Sequence, residues 1–372
     1  MADVKHERVS RELQAEIASG RYASTGRLPS EAQLVARFGV SRPTAARALR
    51  DLQERGLVER RAGSGTFVKA AATATPDTAG DQLGFLVPGL GTTEIFEEIA
   101  GELAALARGR GFGLVLGAGR RGPGADLGVA DAEELCEQFV RSRAAGVFFA
   151  PFEHSEAGGP ANRELVDVLR RAGIAVVLID RDLAPFPTRE GLDLVGLDNF
   201  AAGFLAADHL LRLGCRRLAF ARRPFSATTV DARVAGAREA MRARGVSPTP
   251  GFVREGEFEA PDEVREAFLG EPVEAILCAN DRMGAVLQRS LARCGRRVPD
   301  DVRLVGFDDV RYATLLAVPL TTVHQPCREI AAVAFRAMLD RIADPRLPAR
   351  TITLAPRLVV RESCGAYLPR GG

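Results

Sequence analysis

Residues 28–68, LPSEAQLVARFGVSRPTAARALRDLQERGLVERRAGSGTFV, admit few arrangements. Pro29-Ser30-Glu31 reads as a helix start, because Ser30 can accept from a first-turn N–H and Glu31 suits the positive end of the helix dipole. Leu34, Val35 and Phe38 supply that helix with a buried stripe, and Gly39 makes the turn. Ser41 can cap a second helix that tolerates Pro43 in its first turn. On it Ala45, Ala48, Leu49 and Leu52 gather within about 100° of arc, which puts Pro43, Arg47 and Arg50 on the opposite face. A preceding helix over residues 9–19 places Leu13 and Ile17 on one side and stops at Gly20. Residues 57–68 alternate apolar and polar about Gly63-Ser64-Gly65, as a hairpin does, with Arg60 and Arg61 at its base. The sum is a winged helix-turn-helix.

A helix of this kind fits the DNA major groove, where arginine can bond a guanine edge bidentately or pair with phosphate. That assigns Arg47 and Arg50 to DNA from the helix face alone. Ser41, Arg42 and Thr44 sit at the helix N-terminus, where backbone N–H groups also attract phosphate. The segment resembles the DNA-binding domain of the GntR family over about residues 8–68. The resemblance rests on Arg27-Leu28-Pro29-Ser30-Glu31, Gly39-Val40-Ser41-Arg42, Ala48-Leu49, Leu52, Gly56-Leu57 and Gly63-Ser64-Gly65-Thr66-Phe67-Val68. It implies DNA contacts from Arg27, Ser41, Arg42 and Thr44 and from the wing around Gly63 and Gly65. Where the family often carries a basic residue, this helix has Ala46, followed by Arg47.

At 372 residues the chain has room for two or three domains of roughly 100–200 residues each. Residues 1–69 hold 13 Lys and Arg against 8 Asp and Glu, a charge of +5, while the remainder holds 37 against 40, a charge of −3. A basic head on a slightly acidic body suits a nucleic-acid reader joined to something else. The six cysteines are scattered without a CxxC pair, which argues for reduced thiols and against zinc or a disulfide framework. MADVKHERVS is charged and lacks an apolar core, and no apolar run approaches the roughly 18 residues that span a bilayer. These features predict a cytoplasmic protein with no membrane association.

Residues 70–80, AAATATPDTAG, read as a linker between a head at 1–69 and a body at 81–372. In the body, short apolar runs at 84–87, 114–116, 147–150, 175–179, 218–220, 275–278 and 303–306 alternate with helical patterns. Such runs fit parallel strands buried on both faces. The expected fold class is α/β: two doubly wound parallel sheets behind the winged head, with a ligand cleft between the two subdomains. Ligands in such folds sit beyond the carboxyl ends of the strands. There the sequence places Glu153, Asp180-Arg181, Asn280-Asp281 and Asp308-Asp309, and Phe96 follows the first strand. Asn280 and Asp281 also open a helix and can serve as its cap.

The body is similar to the effector domain of the LacI/GalR family, related to periplasmic sugar-binding proteins, over roughly residues 81–364. The similarity is carried by Asp198-Asn199 with Gly203, His209-Leu210 and Leu213-Gly214; Asp231-Ala232-Arg233 with Gly236; Asn280-Asp281-Arg282; and Val298-Pro299-Asp300. It continues with Val305-Gly306-Phe307-Asp308-Asp309, Pro319-Leu320-Thr321-Thr322-Val323 and Leu358-Val359-Val360-Arg361-Glu362-Ser363. It implies a periplasmic-binding-protein-like body with an N-subdomain at about 81–188 and 325–354 and a C-subdomain at about 189–324 and 355–364. It also implies effector contacts from Arg233, Asn280 and Asp308, with Phe258 stacking on a ring. Phe96, Glu153 and Arg181 complete the expected effector set. Arginine donates in a fork and a carboxylate accepts from paired hydroxyls, a chemistry suited to a sugar.

Winged heads of this family also occur fused to pyridoxal-phosphate bodies, but the only lysines here are Lys5 and Lys69, so the body has no amine for a Schiff base. There is no GxxxxGK[ST] loop and no His/Cys cluster for a metal. The expectation is therefore a non-enzymatic transcriptional repressor without cofactor or metal. It would act as a homodimer on pseudo-palindromic double-stranded operator DNA and answer to a small-molecule effector, a sugar. Two alternatives stand beside it: the same regulator answering to a purine, and a sugar-binding transport component, which the missing signal peptide and attached head disfavour.

Overall fold

In the computed structural model the described residues are 5–18, 22, 27–54, 57–61, 65–68, 80–87, 94–117, 128–153, 158–270 and 273–367. The chain divides into two compact units, residues 1–79 and 80–372. Gly63 at the wing tip and residues 70–79 of the expected linker lie outside the described residues.

The head contains α1 (Lys5–Ala18), α2 (Glu31–Phe38), α3 (Arg42–Glu54) and a hairpin of β1 (Val58–Arg61) and β2 (Gly65–Val68). Ser30 caps α2 in a reciprocal box: its Oγ accepts from Gln33 N, and Gln33 Oε1 accepts from Ser30 N at 2.8 Å. Gly39 closes the helix in the left-handed region at φ 62, which a residue with a Cβ would enter at a cost. Leu34, Ala45, Ala48, Leu49 and Leu52 are buried with Val9, Leu13 and Val58 in one small core. Arg42, Pro43, Arg47 and Arg50 remain exposed, so the helix faces fall as their spacing dictates. The strands pair antiparallel with Val58 opposite Val68 and Arg61 opposite Gly65.

The body holds two six-stranded sheets of matching design. The first has the order β13-β7-β6-β5-β3-β4, from β3 (Gln82–Leu86), β4 (Gly113–Gly117), β5 (Gly146–Phe149), β6 (Ala175–Ile179), β7 (Asp193–Leu197) and β13 (Thr351–Leu354). The second has the order β14-β12-β11-β10-β8-β9, from β8 (Leu218–Arg222), β9 (Val253–Glu255), β10 (Ala275–Cys278), β11 (Arg303–Asp308), β12 (Thr321–His324) and β14 (Arg357–Val359). All pairings are parallel except β12 with β14. The central strands are buried along their length, hence their uninterrupted Val, Leu, Ile and Phe.

Helices flank the first sheet: α4 (Glu94–Gly109), α5 (Val129–Arg141), α6 (Gly158–Arg171) and α11 (Cys327–Ala343). The second carries α7 (Asn199–Arg212), α8 (Thr228–Ala243), α9 (Pro261–Val264) and α10 (Asp281–Arg293). The chain changes sheets after β7, after β12 and between β13 and β14. The subdomain boundary expected at residue 188 is thus corrected to the neighbourhood of Asp198. The run DLVGL of β7 is buried on both sides and pairs with β6 and β13 of the first sheet.

Helices α7 and α8 meet almost backbone to backbone. A Cβ on Gly203 would lie 2.0 Å from Arg233 O, and one on Gly236 would lie 1.9 Å from Phe200 O. That approach is what brings Arg233, on α8, within reach of Asn199, on α7.

Candidate functional site

In the head, Ser41, just before α3, and Thr44, in its first turn, have their hydroxyl oxygens 2.8 Å apart. Arg42 is 79% exposed and lies 3.6 Å from Glu31. Arg27 is joined to the wing: Leu28 N donates to Thr66 O at 2.9 Å, and Arg27 bridges Phe67. The Arg27 guanidinium runs beside Gly65, whose φ is +113, and sits 6.0 Å from the centre of the Phe67 ring. Ser41, Arg42, Arg47 and Arg50 are exposed at the start and along the length of α3 with Thr44 half-buried among them, Arg27 is exposed beside the half-buried wing residue Gly65, and Gly63 is outside the described residues.

In the body, corresponding strands of the two sheets deliver corresponding carboxylates. Asp180 follows β6 with φ 70, and Asp308 ends β11 with φ 112; Asp309 follows at φ 61. Three aspartates in the left-handed region at strand ends store local strain of about 1–3 kcal/mol each, a feature that concentrates at functional sites. Asp180 Oδ1 accepts from Gln325 Nε2 at 3.1 Å, and Gln325 N donates to Asp308 O at 3.2 Å. Gln325 lies at the crossover after β12, so one residue joins both strand ends. Its Oε1 is buried with no hydrogen-bond partner among the described residues.

Arg233 is 4% exposed. Its Nε donates to Asn199 Oδ1 at 2.7 Å, its Nη1 donates to Ala279 O at 2.6 Å, and its guanidinium lies over the Phe307 ring at 4.6 Å. Its Nη2 stands 3.8 Å from Asp308 Oδ1. Two of its three nitrogens thus donate to the protein, and the third, Nη2, faces Asp308. Burial pushes the Asp308 carboxyl well above its ordinary range. Arg233 opposes that rise, while the charges of Asp281, Asp180 and Glu153 add to it.

On the facing side, Arg181 donates from Nε to Pro151 O and from Nη1 to Glu153 Oε1, both at 2.6 Å, and lies 5.5 Å from the centre of the Phe96 ring. The other Glu153 oxygen accepts from Ala227 N at 3.1 Å, at the N-terminus of α8. A carboxylate from the first sheet thereby closes onto a helix start of the second, where it meets the positive end of the dipole.

Two residues of the expected effector set also make contacts within the protein. Asn280 caps α10, its Oδ1 accepting from Met283 N at 2.9 Å. Phe258 is 1% exposed and packs edge-on to Phe268 with ring centres 5.0 Å apart. It too holds a positive φ, 54, an unusual setting for a bulky side chain. Three further residues, Asn199, Gln325 and Asp182, carry no expected role yet border the cluster. Among the described residues no group of three His, Cys, Asp or Glu could hold a metal ion, and no helix is long and apolar enough to cross a membrane.

Against known families, the bacterial regulatory proteins, gntR family, match residues 5–68, and the periplasmic binding protein-like domain matches residues 207–364. The chain is a transcriptional regulator with a GntR-type DNA-binding head and a periplasmic-binding-protein-like, LacI-type body. It is 27% identical over 372 residues to the arabinose metabolism transcriptional repressor of Geobacillus stearothermophilus, which spans 96% of this chain and 97% of that one. The ribose operon repressor of Escherichia coli (strain K12) is 32% identical over 187 residues, 49% of this chain and 56% of the relative, so there the match spans about half of each protein. The solved transcriptional regulator CelR–cellobiose complex superposes with a TM-score of 0.65 at 26% identity, covering 87% of this chain and 91% of that one. These relatives are regulators, and the head places DNA binding in the helix-turn-helix.

Proposed function

We propose that this regulator is a repressor whose operator affinity is set by a neutral sugar bound between the two sheets of the body. The observation that carries the reading is the buried constellation of Arg233, Asp308 and Asp180. It offers guanidinium donors and carboxylate acceptors away from water, with the Gln325 Oε1 acceptor still seeking a donor. A polyol brings hydroxyls that donate and accept, and so satisfies all of them at once. The names of the relatives support a sugar: arabinose metabolism, a ribose operon, and a complex with cellobiose. The carboxyl groups of Glu153, Asp180, Asp281 and Asp308 crowd one another enough that the other three help to raise Asp308, a setting that disfavours a phosphorylated or carboxylated effector.

In this reading Arg233, Asp308, Asp180 and Arg181 hold the effector, Phe96 backs Arg181, and Glu153 latches the first sheet to α8. Two copies of the chain present two heads to a pseudo-palindromic operator, with Arg42, Arg47 and Arg50 on α3 facing the groove. The sugar favours one arrangement of the sheets, and by linkage DNA weakens the sugar as much as the sugar weakens DNA.

The test is titration calorimetry with neutral sugars against the wild type, Arg233→Ala and Asp308→Asn, alongside gel-shift titration of the operator. Binding of a neutral sugar that both variants abolish is expected. A sugar that binds the two variants as tightly as the wild type would place the effector elsewhere.

A further inference from the structure

A groove of about 910 Å³, sharing no lining residue with the Arg233–Asp308 cluster, lies between α10 with the turn that follows it and residues 312–318. Ala285, Val286 and Ala292 of α10 form one wall, and Tyr312, Leu316 and Val318 form the other. The walls are clamped to each other. Gln288, 8% exposed, donates from Nε2 to Val318 O at 2.7 Å and accepts at Oε1 from Val318 N at 3.0 Å. At the start of the same helix Asp281 accepts from Val310 N at 3.1 Å, which ties down the beginning of the facing segment.

The rim of this apolar groove is cationic. Arg282, Ala285, Arg289 and Ala292 recur three or four positions apart, so they share one face of the helix, and Arg296 follows just past its end. The two alanines leave the floor open between the long arginine stems. Elsewhere in the body a helical arginine meets a carboxylate about one turn away: Arg141 with Glu137 on α5, Arg212 with Asp208 on α7, Arg242 with Glu239 on α8. On α10 the only acidic residue is Asp281, which is buried. Arg282, Arg289 and Arg296 are exposed and have no ion-pair or side-chain hydrogen-bond partner among the described residues. The fourth rim arginine, Arg297, is answered within the fold by Asp300 and Asp301, each at 3.3 Å.

A concave apolar surface edged by uncompensated guanidinium groups matches an apolar body that carries an acidic head. A second copy of the chain does not supply that head. Docked about a two-fold axis through the groove, it would bring the same arginines to the same place and gather like charge.

We propose that this groove binds a small amphiphilic anion, with its aliphatic or aromatic body between α10 and residues 312–318 and its carboxylate, sulfonate or phosphate on Arg289 and the arginines flanking it. The two sites of the body then divide by charge: the carboxyl-crowded cluster between the sheets suits a neutral molecule, and the groove suits an anion. The groove stands whichever molecule the cluster binds.

The experiment is titration calorimetry on the full chain with 8-anilino-1-naphthalenesulfonate, decanoate and the uncharged 1-decanol. Wild type is compared with Arg289→Gln and Ala292→Trp, both at exposed positions, and sedimentation velocity follows all three proteins. One sulfonate should bind per chain and be displaced by decanoate, with 1-decanol binding far more weakly. Arg289→Gln should weaken both anions roughly 10–100-fold, the worth of one hydrogen bond between charged groups. Ala292→Trp fills the groove and should abolish their binding. Absence of saturable anion binding overturns the proposal, as does 1-decanol binding as tightly as decanoate. Anion binding unchanged in either variant also overturns it, because the site then lies elsewhere. A wild-type dimer that either substitution converts to monomers overturns it as well, since the groove is then the contact between copies.

Discussion

In the head, Arg42 stands 79% exposed beside Glu31 at 3.6 Å, and Arg47 and Arg50 lie on the same open face of α3. In the body, Arg181 and Arg233 are 5% and 4% exposed and each bonds a backbone carbonyl and a side-chain oxygen at 2.6–2.7 Å. The same residue type is thus used in two physical regimes. Exposed guanidinium groups act at a distance through charge, suit a polyanion, and are screened by salt. Buried ones have surrendered their hydration and act only through fixed hydrogen bonds, which suits a small molecule with matching groups.

Salt should separate the two regimes most widely. Operator affinity is expected to fall about 10³–10⁵-fold between roughly 50 and 200 mM salt if six to ten phosphates are contacted. Sugar affinity in the same buffers should stay almost constant. Parallel titrations by fluorescence anisotropy and calorimetry read both, and a sugar affinity that tracked salt as steeply as DNA would erase the distinction. Next in size is Arg233→Ala. Removing Arg233 leaves Asn199 Oδ1 and Ala279 O buried without their donor, so the body should lose about 1–3 kcal/mol of unfolding free energy for each, together with the small-molecule response proposed above. Chemical denaturation of the variant reads that loss; a body as stable as the wild type would show that these oxygens find another donor.

The unequal legibility of the two regions follows from the same contrast. An amphipathic helix with exposed arginines writes its site on its own face, and the faces of α3 fall where the spacing of Ala45, Ala48, Leu49 and Leu52 puts them. The strand ends of the body are also readable, because buried parallel strands are unbroken apolar runs and ligands meet their carboxyl ends. What could not be read was each side chain's engagement after folding. Gln325 reaches Asp180 across 145 positions, through a sheet crossover that no local pattern announces. Asn199 follows the apolar run DLVGL, and that run was a usable signal for both β7 and its partner of Arg233. Asn280 carries a cap and a ligand signal in the same letters, and the cap is what its oxygen makes.

A smaller and more local effect is expected from Arg47→Ala. Loss of one base-edge contact costs about 1–3 kcal/mol and relaxes operator choice at one position, whereas loss of a phosphate contact weakens all sequences alike and lowers the salt slope by about one. Selection of operators from a randomised library distinguishes these two. Sugar binding should be untouched in either case, and a changed sugar affinity would mean that α3 does more than read DNA.

The gentlest test is pH. Asp281 is fully buried and accepts from Thr322 Oγ1 at 2.6 Å and from Val310 N at 3.1 Å. Burial pushes its carboxyl up to about 7 from the ordinary 3.8, and the nearby charge of Asp309 adds to the rise while the two hydrogen bonds oppose it. Between those two values the folded body holds a proton that the unfolded chain has released. Stability therefore falls as pH rises through this window and levels off above it. Among its described residues the head offers no counterpart, since the shifted groups there, Tyr22 and Arg37, are both raised and titrate far above neutrality. Scanning calorimetry from pH 5 to 8 should lower the body transition and leave the head transition in place. Asp281→Asn should make the body slope shallower whatever it does to the baseline, with Asp308 supplying the remainder because burial shifts it in the same direction. An undiminished slope in that variant would move the proton to another group. A head transition that followed the body would show that buried carboxylates are not what sets the two regions apart.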